Sequence, residues 1–320
     1  MVNIIIPLYK NKDNIRGCLN SLRSQTKKTF IVTIIQDYDG EDYTETIKEF
    51  RKDLKIQFIK NEQNLGPGLT RQRGLDLNKM CDYVMFLDSD DMLNPRAVEL
   101  LYTFAKSNFA DVVTSKIIIE KKYGKGFVCQ GRRTDSWLHG KIYNFDYLKK
   151  NNIRFFEEIR YNEDVAFNLL ALHLSEKTFF LDEETYIFRD YKNSITRSDS
   201  SKFTKESTWQ MIYGYSKGLL RLSKEEKLTK ELSISALLTL YTQSQILIEK
   251  DCISNNENKL VKEALILPEI QTALHDKKIL EYIATHCKAG QVSNGIIFFH
   301  ESFDEWIKRL IGLNILEVNK

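Results

Sequence analysis

The sequence is poor in the residues that define several fold classes. Its 320 residues include only five cysteines, four prolines and 14 glycines. The cysteines are odd in number, far apart and never in a Cys-x-x-Cys pair, which argues against a disulfide framework and against a structural zinc site. The scarcity of proline and glycine argues against a turn-rich, all-β sandwich.

The sequence also lacks long runs of charge of one sign and long apolar runs. Lys and Arg number 47 and Asp and Glu 44, and their net charge of +3 gives no reason to expect a nucleic-acid partner. No apolar run approaches the roughly 18–20 residues that span a bilayer. The first three residues lead directly into a short apolar run, without the basic region of a signal peptide. We therefore expect a cytoplasmic protein, at most peripheral at the inner face of the membrane.

The first part of the chain alternates strand-like and helix-like patterns. Apolar, β-rich runs are separated by segments with helical spacing, which predicts an α/β fold with a mostly parallel open sheet flanked by helices. From about residue 200 the patterns are helical only. We therefore predict an α/β domain over residues 1–200 and a helical C-terminal domain over 201–320. The predicted strands are Val2–Leu8, Phe30–Gln36, Ile56–Lys60, Tyr83–Leu87 and Asp111–Glu120.

The strongest chemical signal follows the fourth predicted strand, in the segment Phe86–Asp91. Ligands of open α/β sheets bind beyond the carboxyl ends of the strands. Asp88 and Asp90 are two residues apart, so in an extended chain both side chains point to one side. Two unpaired carboxylates together are costly unless a cation neutralises them, and oxygen ligands suit Mg²⁺ or Mn²⁺ bridged to a substrate phosphate. The alternative is a helix N-cap and a solvated loop, since aspartate is common just before helices. Asp91 is interpreted as a solvated residue before a helix.

Other polar residues follow strands one to three. Asp39 is placed to accept a hydrogen bond from a nucleobase, although aspartate before glycine is common in turns. Pro7, Leu8 and Tyr9 end the first strand, where Tyr9 either stacks on a base or is a partly buried strand-end residue. Arg71 follows a Gly-Pro-Gly segment and either binds phosphate by a bidentate contact or lies on a helix surface.

Two later segments also have two interpretations each. Glu163 and Asp164 open a predicted helix, where acidic residues are favoured by the helix dipole; alternatively, one is a general base. Trp137 and His139 precede Gly140 and either form a sugar-binding wall or are a packed tryptophan and a turn.

Taken in order, these segments resemble the family 2 glycosyltransferases, which have the GT-A fold. The resemblance covers roughly residues 1–200 and implies that they form a catalytic domain, with its acceptor half from about residue 110. The segments that carry it are Ile4–Tyr9, Asp39-Gly40, Asn64-Leu65-Gly66 with Arg71 and Gly74, Phe86–Asp91, His139–Tyr143, Glu163-Asp164, and Phe188-Arg189 with Asn193–Thr196. The chain departs from the family pattern at Tyr38, in a segment often Asp-Asp-Gly-Ser, and at Gln72, in a segment often Arg-Asn-x-Gly.

The resemblance implies a role for each matching position. Asp90 would bind Mn²⁺ or Mg²⁺, with Asp88 as a second candidate ligand, and Asp164 would be the catalytic base, with Glu163 as the fallback. The residues that would bind the nucleotide-sugar are Pro7, Leu8, Tyr9, Asp39, Arg71, Asp88 and Ser89.

The expected function is an inverting glycosyltransferase that moves a sugar from a UDP-sugar to a hydroxyl of a glycan, a cell-surface polymer or a related acceptor. One alternative is a nucleotidyltransferase or another metal-dependent nucleotide enzyme; the other is a non-catalytic glycan-binding module. The helical region gets no support from the resemblance. It either shapes the acceptor site, forms homo-oligomers, touches a membrane through Trp306, Leu310 and Ile311, or simply packs on the catalytic domain.

Overall fold

The computed structural model describes residues 1–78, 80–123, 126–132, 134–189, 201–249, 255–288, 291–292, 295–296 and 301–312. The chain divides into two compact units, Met1–Ser198 and Asp199–Lys320. Among the described helices, none combines the length and the apolar character that crossing a membrane would require.

The first unit contains a nine-stranded sheet flanked by helices. The strands are β1 (Val2–Leu8), β2 (Phe30–Gln36), β3 (Ile56–Lys60), β4 (Tyr83–Phe86), β5 (Met92–Leu93), β6 (Val112–Tyr123), β7 (Gly126–Arg132), β8 (Lys141–Asn144) and β9 (Thr178–Phe188). The helices are α1 (Ile15–Arg23), α2 (Thr44–Phe50), α3 (Gly66–Asp76), α4 (Ala97–Ser107), α5 (Phe145–Lys150) and α6 (Glu163–His173).

The predicted α/β fold is confirmed, and the sheet has the order β3-β2-β1-β4-β8-β6-β9-β5, with β7 beside β6. Strands β1 to β4 pair in parallel, as do β6 and β9. Antiparallel pairs enter with β5, β7 and β8. The parallel half places the ends of β1, β2 and β4 at one edge of the sheet.

Strand β1 shows why the parallel half was readable from sequence. Its run Ile4-Ile5-Ile6 is fully buried. A parallel strand covered by helices on both faces needs apolar residues at successive positions, not at alternate ones. Helix α1 supplies one covering stripe through Ile15, Cys18, Leu19 and Leu22, all buried as their spacing predicts.

In the first unit, β5, β8, α5 and β9 were not predicted. In β9 the acidic residues 182–184 interrupt the apolar pattern at a place where its register with β6 shifts. The sequence predicts that α4 begins at Pro95 with Asn94 as its N-cap, but the helix begins at Ala97, and the Asn94 side chain accepts a hydrogen bond from the Arg96 amide at 3.3 Å before it.

The second unit is helical, as its sequence pattern predicts. It contains α7 (Ser201–Lys224), α8 (Lys230–Glu249), α9 (Asn255–Leu265), α10 (Pro268–Leu274), α11 (Lys277–Lys288), α12 (Phe303–Ile311) and a short β10–β11 pair (Gln291–Val292 and Gly295–Ile296). The single helix predicted over Ile270–Cys287 is two helices, because Asp276 accepts a hydrogen bond from the Lys278 amide at 3.0 Å and starts α11.

Helix α12 does not present its aromatic residue outward. The Trp306 ring is fully buried, with centroids 5.4 Å from Tyr241 and 5.7 Å from Phe303, and Leu310 is buried too. The suggestion that Trp306 and Leu310 touch a membrane is therefore wrong, since both side chains are used inside the helical unit. Ile311 is only half-buried.

Close packing of α3 on β1 gives a stability prediction. A Cβ atom at Gly74 would lie 2.5 Å from Cγ2 of Ile5, so Gly74→Ala should lower the free energy of unfolding by about 1–3 kcal/mol. The matched control is Gly17→Ala in α1, where, among the described residues outside that helix, a Cβ atom would have only the end of the Arg189 side chain within 4 Å. That change should be neutral or stabilising by up to about 1 kcal/mol, because alanine is the better helix former. Urea unfolding of both variants measures the difference, and equal stabilities would contradict the packing argument.

Candidate active site

Asp39 lies where β1 and β2 end, at the predicted edge. Its carboxylate accepts four hydrogen bonds from the chain: on Oδ2 from the Lys10 amide at 2.7 Å and the Tyr43 hydroxyl at 2.8 Å, and on Oδ1 from Gln36 at 2.5 Å and the Glu41 amide at 3.0 Å. Although burial opposes it, these hydrogen bonds lower the pKa of Asp39. A carboxylate has about four acceptor positions, so Asp39 as seen here organises the loop. Its contact with a base stays a prediction.

The segment after β4 is a turn and not an extended strand. The Asp91 amide donates to the Asp88 carbonyl at 3.1 Å, with Ser89 and Asp90 between them. The argument that Asp88 and Asp90 share a side by strand alternation is therefore wrong. Ser89 is tied to the end of β1, because Asn11 Nδ2 donates to its hydroxyl at 2.8 Å. We call residues 88–91 the aspartate turn.

Two of its three carboxylates are engaged within the protein. Asp88 pairs with Arg71 Nη2 at 2.5 Å through one oxygen and lies 3.2 Å from His139 Nε2 through the other. Asp91 accepts a hydrogen bond from the Tyr186 hydroxyl at 2.7 Å and from the Arg189 amide at 2.9 Å. The interpretation of Asp91 as a solvated loop residue is wrong, since it is 2% exposed.

The third carboxylate, that of Asp90, is not engaged by another described side chain. Within the described part of the chain, it forms no hydrogen bond or ion pair with another residue's side chain. Burial and the negative charge of Asp88 raise the pKa of Asp90, and the opposing effects of its own backbone amide, His139 and Arg71 do not offset them. This is the arrangement expected of a group whose counter-charge arrives with a ligand.

The start of α6 brings a second pair of carboxylates to the site. Glu163 is buried and pairs with Arg71 Nη1 at 2.5 Å. Asp164 is half-buried, and burial together with the negative charge of Glu163 raises its pKa to about 7. Gly68 of α3 makes this approach possible, since a Cβ atom there would lie 3.0 Å from Cγ of Glu163.

Arg71 joins the two groups of carboxylates. It is 6% exposed and pairs with Asp88 on one side and Glu163 on the other. Sequence reasoning left open a surface arginine, which is wrong, and a phosphate contact, which stays a prediction. In this structure Arg71 holds the aspartate turn and the start of α6 together.

The predicted sugar-wall residues lie beside the aspartate turn. The His139 ring stacks on Tyr186 with centroids 4.5 Å apart, and Trp137 packs against His139 and Phe188, each at 5.5 Å. Buried Lys141 donates to the Trp137 carbonyl at 2.5 Å and so orients this segment. His139 thus faces Asp88, while a contact of either ring with sugar stays a prediction.

The donor set of the site fits a divalent cation. Asp88, Asp91 and His139 each offer one ligand atom, all within 4.8 Å of one another, and Asp90 lies in the same turn. The aspartate turn has three carboxylates within four residues, and only that of Asp88 pairs with Arg71 among the described ion pairs. Oxygen-rich sets of this kind suit Mg²⁺ and Mn²⁺. Sequence reasoning named Asp88 and Asp90 but missed Asp91 and did not place His139 here.

Tyr186 is the other residue that sequence reasoning missed. It lies on β9, and the only signal for it in the sequence was the short run of β-favouring residues Tyr186-Ile187-Phe188.

The predicted nucleotide-binding residues at the end of β1 differ in exposure. Leu8 is buried, Pro7 is half-buried, and the Tyr9 side chain is 38% exposed. Of the last resembling segment, residues 193–196 lie outside the described residues.

Comparison with known proteins places this arrangement in a family. Residues 3–161 match the profile described as Glycosyl transferase family 2. The poly(ribitol-phosphate) beta-N-acetylglucosaminyltransferase TarP of Staphylococcus aureus is 30% identical over 237 residues, which are 66% of this chain and 72% of TarP. Glycosyltransferase GlyA of Streptococcus pneumoniae is 28% identical over 227 residues, 63% of this chain but only 32% of GlyA.

A solved structure shows the same fold. The crystal structure of S. aureus TarS 1-349 in complex with UDP-GlcNAc matches with a TM-score of 0.55 and 20% identity, and the match covers 94% of this chain and 97% of that one.

Proposed function

The chain belongs to glycosyltransferase family 2, and from that premise we propose that it is an inverting enzyme that transfers a sugar from a UDP-sugar to a hydroxyl of a cell-surface glycopolymer. One observation carries the proposal. Two carboxylates with different environments, Asp90 and Asp164, reach one end of the sheet through separate elements, and Arg71 joins those elements. One carboxylate suits cation binding and the other suits proton transfer.

The relatives support the choice of donor and acceptor. TarP is named for transfer of N-acetylglucosamine to poly(ribitol phosphate), and TarS was crystallised with UDP-GlcNAc. We infer UDP-GlcNAc as the first donor to test and a polyol-phosphate polymer as the first acceptor. TarP is also named as forming a beta linkage, which is the product of a single displacement at the α-configured carbon of such a donor.

Asp164 is the proposed general base. Its pKa of about 7 leaves a substantial fraction ionised near neutral pH and makes it basic enough to accept the proton of an attacking hydroxyl. Glu163 is less suited to this task, because its carboxylate is committed to Arg71. In this mechanism Glu163 and Arg71 hold the start of α6, and so Asp164, beside the donor site.

The aspartate turn is proposed to bind the donor diphosphate through a cation. Asp90 and Asp88, with His139 beside them, would hold Mn²⁺ or Mg²⁺, which would offset the charge that develops on the leaving diphosphate. Ser89 and the residues ending β1 would line the nucleotide side. The cytoplasmic location and the homo-oligomer considered from the sequence stay predictions.

A donor screen tests this function. We expect UDP-GlcNAc with Mn²⁺ to stabilise the protein by about 2.7 kcal/mol at a hundredfold excess over its Kd, and GDP-, TDP- and CMP-sugars to do so less. Thermal shift with and without Mn²⁺ measures this, and product analysis with the polymer present should detect UDP. Release of pyrophosphate would instead indicate a nucleotidyltransferase. Tight glycan binding without turnover of any nucleotide-sugar would indicate a binding module.

A further inference from the structure

The aspartate turn depends on one residue that lies far from it in sequence. We propose that Tyr186 is a positioning residue that sets the conformation of the aspartate turn and thereby the direction of the Asp90 carboxylate. The metal-binding part of this inference rests on the proposed function, whereas the effect on the turn does not.

The Tyr186 hydroxyl contacts both ends of the turn. It accepts a hydrogen bond from the Asp88 amide at 3.2 Å and donates one to Asp91 Oδ2 at 2.7 Å. The turn itself has one closing backbone hydrogen bond, of 3.1 Å, between the same two residues. A single phenolic oxygen therefore braces the first and last residues, while Asp90 lies between them.

The sheet holds the Tyr186 backbone firmly. On one side Tyr186 pairs with Leu93 of β5, and on the other with Ile117 of β6. The register of β9 against β6 shifts just before this point, with Lys116 opposite Glu184 and Ile117 opposite Tyr186. Such bulges re-aim side chains, and they are common beside active sites. Here the irregularity decides which residue of β9 reaches the turn.

The Tyr186 ring is fixed independently of its hydroxyl. The side chain is 1% exposed, and its ring stacks on His139 at 4.5 Å with an interplanar angle of 19°. Removing the hydroxyl should therefore leave the ring in place and delete only the two hydrogen bonds. Tyr186→Phe separates the bracing of the turn from the packing of the strand.

Loss of the brace should alter the turn before it alters the fold. The Asp88 amide loses its acceptor, and Asp91 keeps only the Arg189 amide among the donors found in the described residues. The turn then keeps its closing backbone hydrogen bond and the contacts of Asp88 with Arg71 and of Ser89 with Asn11, but it loses the bridge between its two ends. Groups that orient metal ligands typically contribute 10–100-fold to metal affinity or activity.

The experiment compares Tyr186→Phe with the wild type and with a matched control. Tyr83→Phe is the control, because its buried hydroxyl donates to the Ala105 carbonyl at 3.2 Å in the same unit. Hydrogen exchange of the peptide 87–93 in the metal-free protein should speed up about tenfold in Tyr186→Phe only. Mn²⁺ affinity, measured by electron paramagnetic resonance, and kcat should each fall about 10–100-fold, with the KM for acceptor unchanged.

The positioning role of Tyr186 and the proposed metal site would be overturned by different results. Unchanged exchange of peptide 87–93 together with unchanged Mn²⁺ affinity would overturn the positioning role. A wild type that binds no Mn²⁺ would overturn the proposed metal site, and faster exchange in Tyr186→Phe would then still support the bracing of the turn. If Tyr186→Phe does not fold, Asp91→Asn tests the same brace. Its side-chain amide can accept only one of the two hydrogen bonds that Asp91 accepts from Tyr186 and the Arg189 amide. Exchange of peptide 87–93 and Mn²⁺ affinity equal to those of the wild type in Asp91→Asn would also overturn the proposal.

Discussion

Replacing Asp164 by asparagine is expected to lower kcat by about 10²–10⁴-fold, because a positioned general base contributes that much to proton transfer. An amide keeps the size of the side chain but cannot accept the proton. Steady-state rates of UDP release with acceptor present measure the effect. Donor binding by thermal shift should stay unchanged, since Asp164 is proposed to act on the acceptor hydroxyl.

The raised pKa of Asp164 predicts the direction in which activity changes with pH. Burial and Glu163 raise the pKa of Asp164 to about 7, so the base is protonated and inactive below that pH. Wild-type activity should therefore rise with pH through about 7, and Asp164→Asn should lose that limb of the profile. Glu163→Gln is the control and should keep that limb but move it to lower pH, because it removes a negative charge that raises the pKa of Asp164. Loss of activity in Glu163→Gln with a fully active Asp164→Asn would instead make Glu163 the base.

Replacing Asp90 by alanine is the second change with a large expected effect. If the cation contributes about 4 kcal/mol to stabilising the leaving group, loss of its ligand should lower the transfer rate about 10³-fold. Mn²⁺ binding should weaken in parallel, and removal of the metal from the wild type with a chelator should reproduce the loss. Full transfer activity of Asp90→Ala would count heavily against the proposed function.

The free energy of unfolding should distinguish the roles of Asp90 and Asp91. The Asp90 carboxylate has no partner among the described side chains, so Asp90→Ala should leave the free energy of unfolding unchanged or raise it. Asp91→Ala is the matched control, and it should destabilise the protein by about 1–3 kcal/mol, because it removes the acceptor of one buried and one partly buried hydrogen bond. Equal destabilisation by the two changes would show that Asp90 is a structural residue.

Much of the parallel half of the sheet was predictable from local pattern. Strand β1 has three consecutive buried isoleucines, and α1 has apolar residues at helical spacing. These signals depend on neighbouring residues only, so a single sequence contains them. Strand β9 was missed because its acidic residues break the alternation where the register shifts, and a register is a property of two strands.

The candidate site, too, was predictable from the sequence only in part. Sequence position alone pointed to the carboxylates of the aspartate turn and of α6, because polar residues that follow strands or begin helices are recognisable locally. The turn conformation was not recognisable, and the rule of strand alternation failed there. The ion pair of Arg71 with Glu163 joins residues 92 positions apart, and the hydrogen bond of Tyr186 to Asp91 joins residues 95 apart.

By itself, then, the sequence determined which carboxylates are available, the alternation of strands and helices, and the family to which the chain belongs. Only the tertiary structure decided how those carboxylates differ: Asp88 and Asp91 are held by partners, Asp90 is not, and Asp164 is desolvated beside Glu163. The physical reason is that burial, charge neighbours and hydrogen-bond partners are set by contacts across the sheet and between α3, α6 and β9, and those contacts are absent from any local stretch of chain.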